Sequence, residues 1–173
     1  MGQVKDAEPV KFFCGILAAD RTNLAGAEQG LESVFGEIDL KSDLFDFDFT
    51  SYYEAEMGAN LIRQFVCFKE LRSPDRIATF KRQTNDLESE FAHDSSRTIN
   101  LDPGYIAPSK LVLASTKDFS HRIYIAEGIY AEVTLNFRGG GCKHFEWTFP
   151  DFQSHDYQEF FLLARSRLME QRK

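Results

Sequence analysis

Between Lys117 and Thr134 the sequence gathers Lys117, Asp118, His121, Arg122, Tyr124, Tyr130, Glu132 and Thr134 in the string TKDFSHRIYIAEGIYAEVTL. Acid–base groups, cations, a carboxylate and hydroxyls thus fall within the length of one β-hairpin. The imidazole of His121 has an ordinary pKa suited to proton transfer near neutrality, which makes it the candidate general acid or base. Arg122 beside it carries a planar fork that grips phosphate or carboxylate through two bonds. Strand alternation places Ile129, Ala131, Val133 and Leu135 on one face and Tyr130, Glu132 and Thr134 on the other. So varied a polar face exceeds what solubility requires, and the expectation is that the hairpin lines a cleft.

Three further stretches offer partners. In KRQTNDLE, Lys81, Thr84, Asn85 and Glu88 recur at steps of three and four, which puts them on one side of a helix. The competing reading is a solvated flank, where ion pairs contribute little. In RTINLDPGY, Arg97 and Tyr105 flank Asn100 and Asp102, although Asx residues beside turns often serve the local backbone alone. In FTSYYEAEMG, Glu54 and Glu56 lie two apart and share a side if the segment is extended. Lys81, Asn85, Arg97, Lys117, Arg122 and Thr134 therefore form the candidate anion-binding set. Glu56, Glu88, Asp102 and Glu132 are candidates either to hold a divalent cation such as Mg or Mn or to keep the arginines in place.

Several chemistries are absent. The chain has no Gly-x-x-x-x-Gly-Lys-Ser/Thr loop, no Gly-x-Gly-x-x-Gly after a strand, no Gly-x-Ser-x-Gly and no His-Glu-x-x-His. RGGGCK is glycine-rich but lacks the strand–loop–helix setting that presents backbone amides to phosphate. Cys142 and His144 have no second half-site.

The elements that must position these residues follow from periodicity and punctuation. VKFFCGILAA is a short apolar run that fits a buried strand. The helix after it is expected to be capped by Thr22 and stopped by Gly36, with Leu24, Ala27, Leu31, Val34 and Phe35 along its apolar side. DLFDFDFT alternates as a half-buried strand, and LIRQFVCFKEL is strand-like. Ser73-Pro74-Asp75 opens a second helix with Ile77, Phe80, Leu87 and Phe91 on its stripe. RTINL reads as a strand ended by a turn at Asp102-Pro103-Gly104-Tyr105. KLVLAST, the hairpin with its Ala126-Glu127-Gly128 tip, and a last helix capped by Ser154 complete the order.

This order predicts one α+β domain over residues 1–173. Its start is β-α-β-β-α-β, ferredoxin-like, with an antiparallel sheet extended by C-terminal hairpins and a covering C-terminal helix.

Composition sets outer limits. Twenty Lys and Arg stand against 27 Asp and Glu, a net charge of −7, so nucleic acid is not an expected partner. The apolar run near the N-terminus is too short to cross a membrane. Three widely separated cysteines argue against a disulfide framework. A cytoplasmic protein is expected. The 17 Phe residues are mostly core material.

Taken together, DFTSYYEAEMG, FKRQTNDLE, RTINLDPGY, STKDFSHRIYI, GIYAEVTL and WTFPDF resemble the domain-of-unknown-function 4416 family of uncharacterised prokaryotic proteins. The resemblance implies a family and brings no established activity with it. Members are sometimes labelled GTP-binding. Here Thr116-Lys117-Asp118 has its Asp one place early for the guanine-reading string, and without a phosphate loop an ordinary GTPase is not expected.

Two readings follow, with catalysis left open. In the first, a small anionic ligand bearing phosphate or carboxylate, with or without a metal, binds between the second helix and the sheet. In the second, the chain is a non-enzymatic interaction module or homodimer whose polar cluster is a structural ion network.

Overall fold

The computed structural model describes residues 2–92 and 96–173. It contains nine strands and four α-helices, in the order β1 Lys11–Ala18, α1 Arg21–Phe35, β2 Ile38–Lys41, β3 Phe45–Phe47, α2 Glu54–Met57, β4 Leu61–Phe68, α3 Ile77–Glu90, β5 Ile99–Ala107, β6 Lys110–Ser115, β7 Ile123–Ala126, β8 Ile129–Arg138, β9 Gly141–His144 and α4 His155–Gln171. All strands join one antiparallel sheet of order β2-β4-β1-β5-β6-β8-β7, with β3 also on β4 and β9 also on β8. The protein is thus of mixed α+β class, built on a single sheet. Among the described residues no helix is long and apolar enough to cross a membrane.

The sheet has two covered faces, which is why β1 is apolar without alternation and buried throughout. Phe12, Cys14, Ile16 and Ala18 of β1 face α1 and α3, where Phe12, Phe80 and Phe35 stack with centroids 4.1 and 4.2 Å apart. Phe13 faces the other way, with Phe65 and Cys67 of β4, onto α4 and its Tyr157, Phe160 and Phe161. Cys14 and Cys67 are buried free thiols, as the strand pattern implies, and burial pushes the Cys67 thiol up to about 12.

Local expectations are corrected at three places. The N-cap of α1 is Asp20, whose Oδ1 accepts the Asn23 N–H at 2.8 Å, and Thr22 lies inside the helix. Both residues are good caps; the buried register of Leu24 and Ala27 chooses between them. The Asp102-Pro103-Gly104-Tyr105 turn does not form: β5 runs straight through it, pairing Asp102 with Gly15, Pro103 with Cys14 and Gly104 with Phe13. Finally, the strict alternation expected along β8 fails. Leu111 pairs with Leu135 but Val112 pairs with Val133, so Thr134 is the extra residue of a β-bulge. The bulge sends Leu135 to the α4 face, while Ile129, Ala131 and Val133 stay on the face of α1 and α3.

The cleft is made where the sheet divides. Strand β5 pairs with β1 from Ile99 to Ile106, but with β6 only from Gly104–Leu113 to Ala107–Lys110. Residues 99–103 therefore have one open side. The backbone of Leu101 is satisfied there by side chains of α3 in place of a strand: its N–H donates to Glu88 Oε1 at 2.6 Å and its carbonyl accepts from Lys81 Nζ at 2.8 Å. Residues two apart turn their backbone groups to the same side, so the missing N–H of Pro103 also falls on the open side and breaks no ladder bond. Gly104 is needed where the strands close again, since a Cβ there would lie 2.3 Å from the Val112 carbonyl oxygen.

Candidate functional site

The opening between β5 and β6 is the mouth of a cleft of about 900 Å³. Its lining carries five cations, Arg63, Lys81, Arg97, Lys117 and Arg122, and four carboxylates, Glu88, Asp102, Glu132 and Asp151. Against a chain of net charge −7, this near-balance makes the cleft a relatively positive island.

One wall is a continuous polar chain. Glu56 of α2 grips Arg97 through two bonds of 2.8 Å, to Nε and Nη2. Arg97 Nη1 donates to Asn100 Oδ1 at 3.0 Å and lies 3.4 Å from Glu88. The Asn100 amide donates to Asp102 Oδ2 at 2.9 Å. Arg63 closes the chain, 3.3 Å from Asp102 and 3.6 Å from Asp151. Arg63 is 2% exposed; its guanidinium lies over the Phe47 ring at 5.0 Å and occupies space left by Gly15, whose Cβ would stand 3.0 Å from Arg63 Nη1. Burial opposes the charge of Arg63, but Asp102 and Asp151 outweigh it and raise its pKa. Burial also raises the carboxyl pKa of Asp151 and of Glu88, against the lowering effects of Arg63 and Lys81 respectively.

The other wall is the hairpin. Glu132, buried on β8, accepts Arg122 Nε at 2.7 Å and the Thr134 hydroxyl at 3.2 Å, and stands 3.1 Å from His121 Nε2. Arg122 Nη1 donates to Ser115 Oγ and to the Lys117 carbonyl, each at 2.9 Å. This arrangement keeps the end of β6 fixed beside the cleft.

Of the eleven candidate site residues, Lys81, Asn85, Glu88, Arg97, Asp102, Lys117, Arg122 and Glu132 come together around the cleft. Three do not line it. Glu56 stands behind Arg97. Thr134 is fully buried in the bulge, where its carbonyl accepts the Thr148 hydroxyl. His121 lies in an adjoining groove of about 450 Å³, its ring stacked on Trp147 at 5.2 Å.

As metal ligands, Glu56, Glu88, Asp102 and Glu132 do not converge. Among the described residues the one group bringing three ligand atoms within 4.8 Å of one another is the exposed His155, Asp156 and Glu159 at the start of α4. The four acids are committed instead to Arg97, Leu101, Asn100, Arg63 and Arg122. Sequence reasoning missed Arg63 and Asp151. A signal existed for Arg63, since it shares strand parity with Phe65 and Cys67 and was bound to be buried with them.

The cations are not all consumed. Lys81 is 7% exposed and its Nζ bonds to the Leu101 carbonyl alone, with no described carboxylate oxygen within 4.0 Å. The amide of Asn85, one turn on along α3, makes no side-chain hydrogen bond to a described residue. Among the described residues Lys117 Nζ meets the Tyr52 hydroxyl at 3.2 Å and the Tyr52 ring at 5.2 Å, and no carboxylate. The arrangement leaves N–H donors of Lys81 and Asn85 without an acceptor among the described residues.

No curated protein and no solved structure matches the chain. A family model does match, over residues 8–168, which is nearly the whole sequence and includes every residue of the cleft. The chain therefore belongs to the family described as Domain of unknown function (DUF4416).

Proposed function

We propose that this protein binds a small anionic molecule, bearing phosphate or carboxylate, in the cleft between α3 and the sheet. The observation that carries the reading is Lys81: a buried ammonium at a large cleft with a single carbonyl partner. A buried charge with spare donors is costly unless something pairs it. Asn85 and Lys117 supply further donors, and the arginines are held rigidly by their carboxylates, which preorganises the walls. A metal is not needed in this reading, because the four candidate acids are occupied by cations and backbone and do not gather around a point.

The competing reading, a structural ion network in an interaction module, draws on a specific fact: each arginine of the cleft already has a carboxylate partner. It accounts for Arg63, Arg97 and Arg122, and for the bond from Lys81 to the Leu101 carbonyl, but not for the remaining donors of Lys81 or for the cleft itself. The order β2-β4-β1-β5, with α1 and α3 on one face, supports a ferredoxin-like reading of the first two thirds of the chain. Three free cysteines support a cytoplasmic location.

Thermal unfolding in inorganic phosphate, citrate and acetate, with and without Mg²⁺ or Mn²⁺, tests the proposal. A ligand at a hundred times its dissociation constant adds about 2.7 kcal/mol. The expected result is a shift with an anion alone that disappears in Lys81→Met. Absence of any anion-dependent shift in the wild-type protein would reject the proposal in favour of the ion network.

A further inference from the structure

Large aromatic side chains left in water singly need no explanation, but several gathered at one place mark an interaction site. Six are exposed among the described residues: Phe49, Tyr52, Phe119, Tyr124, Trp147 and Phe149. Four of these, Phe49, Tyr52, Phe119 and Phe149, line the cleft. A fifth, Trp147, lines the adjoining groove, which shares Phe119, Arg122 and Phe149 with the cleft. The four come from three connections: Phe49 and Tyr52 from the one between β3 and α2, Phe119 from the loop between β6 and β7, and Phe149 from the loop before α4. No local pattern groups them; the fold does.

Two of these rings are already held by cations of the same cleft. Lys117 Nζ stands 5.2 Å from the Tyr52 ring and the Arg122 guanidinium 5.7 Å from the Phe119 ring. Exposed aromatic side chains and unspent N–H donors lining one cleft make a site with two chemistries. A bare phosphate would use the floor and leave the aromatics wet.

Resting on the anion-binding reading, we propose that the ligand is a phosphate or carboxylate joined to an aromatic ring. The anionic head meets Lys81 and Asn85. The ring is covered by Tyr52 and Phe119, with Phe49 and Phe149 completing the enclosure. Offset and edge-to-face packing of rings favours a planar group over an aliphatic one of equal size.

Calorimetric titration of the full chain with inorganic phosphate, phenyl phosphate and cyclohexyl phosphate, and with acetate and benzoate, separates the possibilities. Phenyl phosphate is expected to bind at least tenfold tighter than inorganic phosphate and severalfold tighter than cyclohexyl phosphate; a matching gain of benzoate over acetate supports the proposal with carboxylate as the head group. In Tyr52→Ala and Phe119→Ala, both exposed and outside the core, the ratio of aryl to inorganic phosphate affinity falls severalfold. An aryl-to-inorganic ratio near one, or a ratio unchanged in both variants, overturns this inference and leaves anion binding intact. Failure of every anion to bind overturns both together.

Discussion

At the scale of single residues, the cleft is a set of ion pairs that differ in how far they are withdrawn from water. Glu56 and Arg97 are the outermost, with side chains about a third exposed. The hydrogen bonds from Arg97 hold the Glu56 carboxyl below its ordinary value. An acid whose pKa is lower in the folded state stabilises the fold above its unfolded pKa, and that contribution is lost as pH falls through the folded value. Glu88 and Asp151 work in the opposite sense. Burial raises both, so their carboxylates oppose folding progressively more as pH rises through the same region and beyond. Glu56→Gln is therefore expected to lower stability by about 1 kcal/mol at pH 7, since the pair is partly screened by solvent. It is also expected to flatten the acid side of the stability curve. Urea midpoints at pH 7 and pH 3.5 check this: the wild type loses more between the two pH values than the variant does. Equal losses would mean that Glu56 is not the group titrating there.

At the scale of elements, the site exists because β5 is shared unequally between its neighbours. Gly104 marks the point where β6 rejoins it, and the missing side chain is what permits a carbonyl oxygen to approach that closely. Gly104→Ala places a methyl group against backbone, which has no rotamer to move, so a loss of about 2–3 kcal/mol is expected. Relief by separation of β5 from β6 would widen the cleft. The change is read as a lower denaturant midpoint with faster amide exchange at residues 105–113; a midpoint within error of wild type would show that the strands adjust without cost. This element also shows what the sequence can and cannot disclose. Apolar periodicity located α1, α3 and α4, because a stripe at helical spacing records the face that will be buried. The Pro103-Gly104 pair misleads, because turn chemistry is local, and what excuses both residues in a strand is the departure of β6 and the approach of Val112, which are tertiary facts. Eight of the eleven candidate residues reach the cleft because polar residues in apolar strands and on helix flanks must go where polar partners are. Which acid meets which arginine was not legible: Glu56 and Arg97 are 41 residues apart. The bulge at Thr134 was likewise hidden, since it depends on how β8 registers against β6.

At the scale of the molecule, helices cover the two faces of the sheet in different ways. Strands β1 and β5 join on to α1 and α3 as the chain passes from one to the next, whereas α4 arrives last and seals the opposite face over Phe13, Phe65 and Leu135. Its far end is tied to the first strand by polar bonds. Lys11, wholly buried, donates to Asp39 Oδ2 at 2.9 Å, to the Phe68 carbonyl at 3.0 Å and to Gln171 Oε1 at 3.0 Å. The Gln171 amide in turn donates to the Lys69 carbonyl at 2.7 Å, and Arg172 reaches the Pro9 carbonyl. All three donors of the ammonium are thus spent, in contrast to Lys81 at the cleft, which has one described acceptor, the Leu101 carbonyl. Lys11→Met keeps the apolar stem but leaves Asp39, the Phe68 carbonyl and Gln171 unpaired, for an expected loss of about 3 kcal/mol. Because the tie joins α4 to the rest, the loss should be uneven. Hydrogen exchange at residues 165–172 is expected to accelerate by more than the global destabilisation explains, while the amides of α1 follow the global change. Uniform acceleration would mean that α4 unfolds only with the whole sheet, and that its apolar face, not Lys11, holds it there.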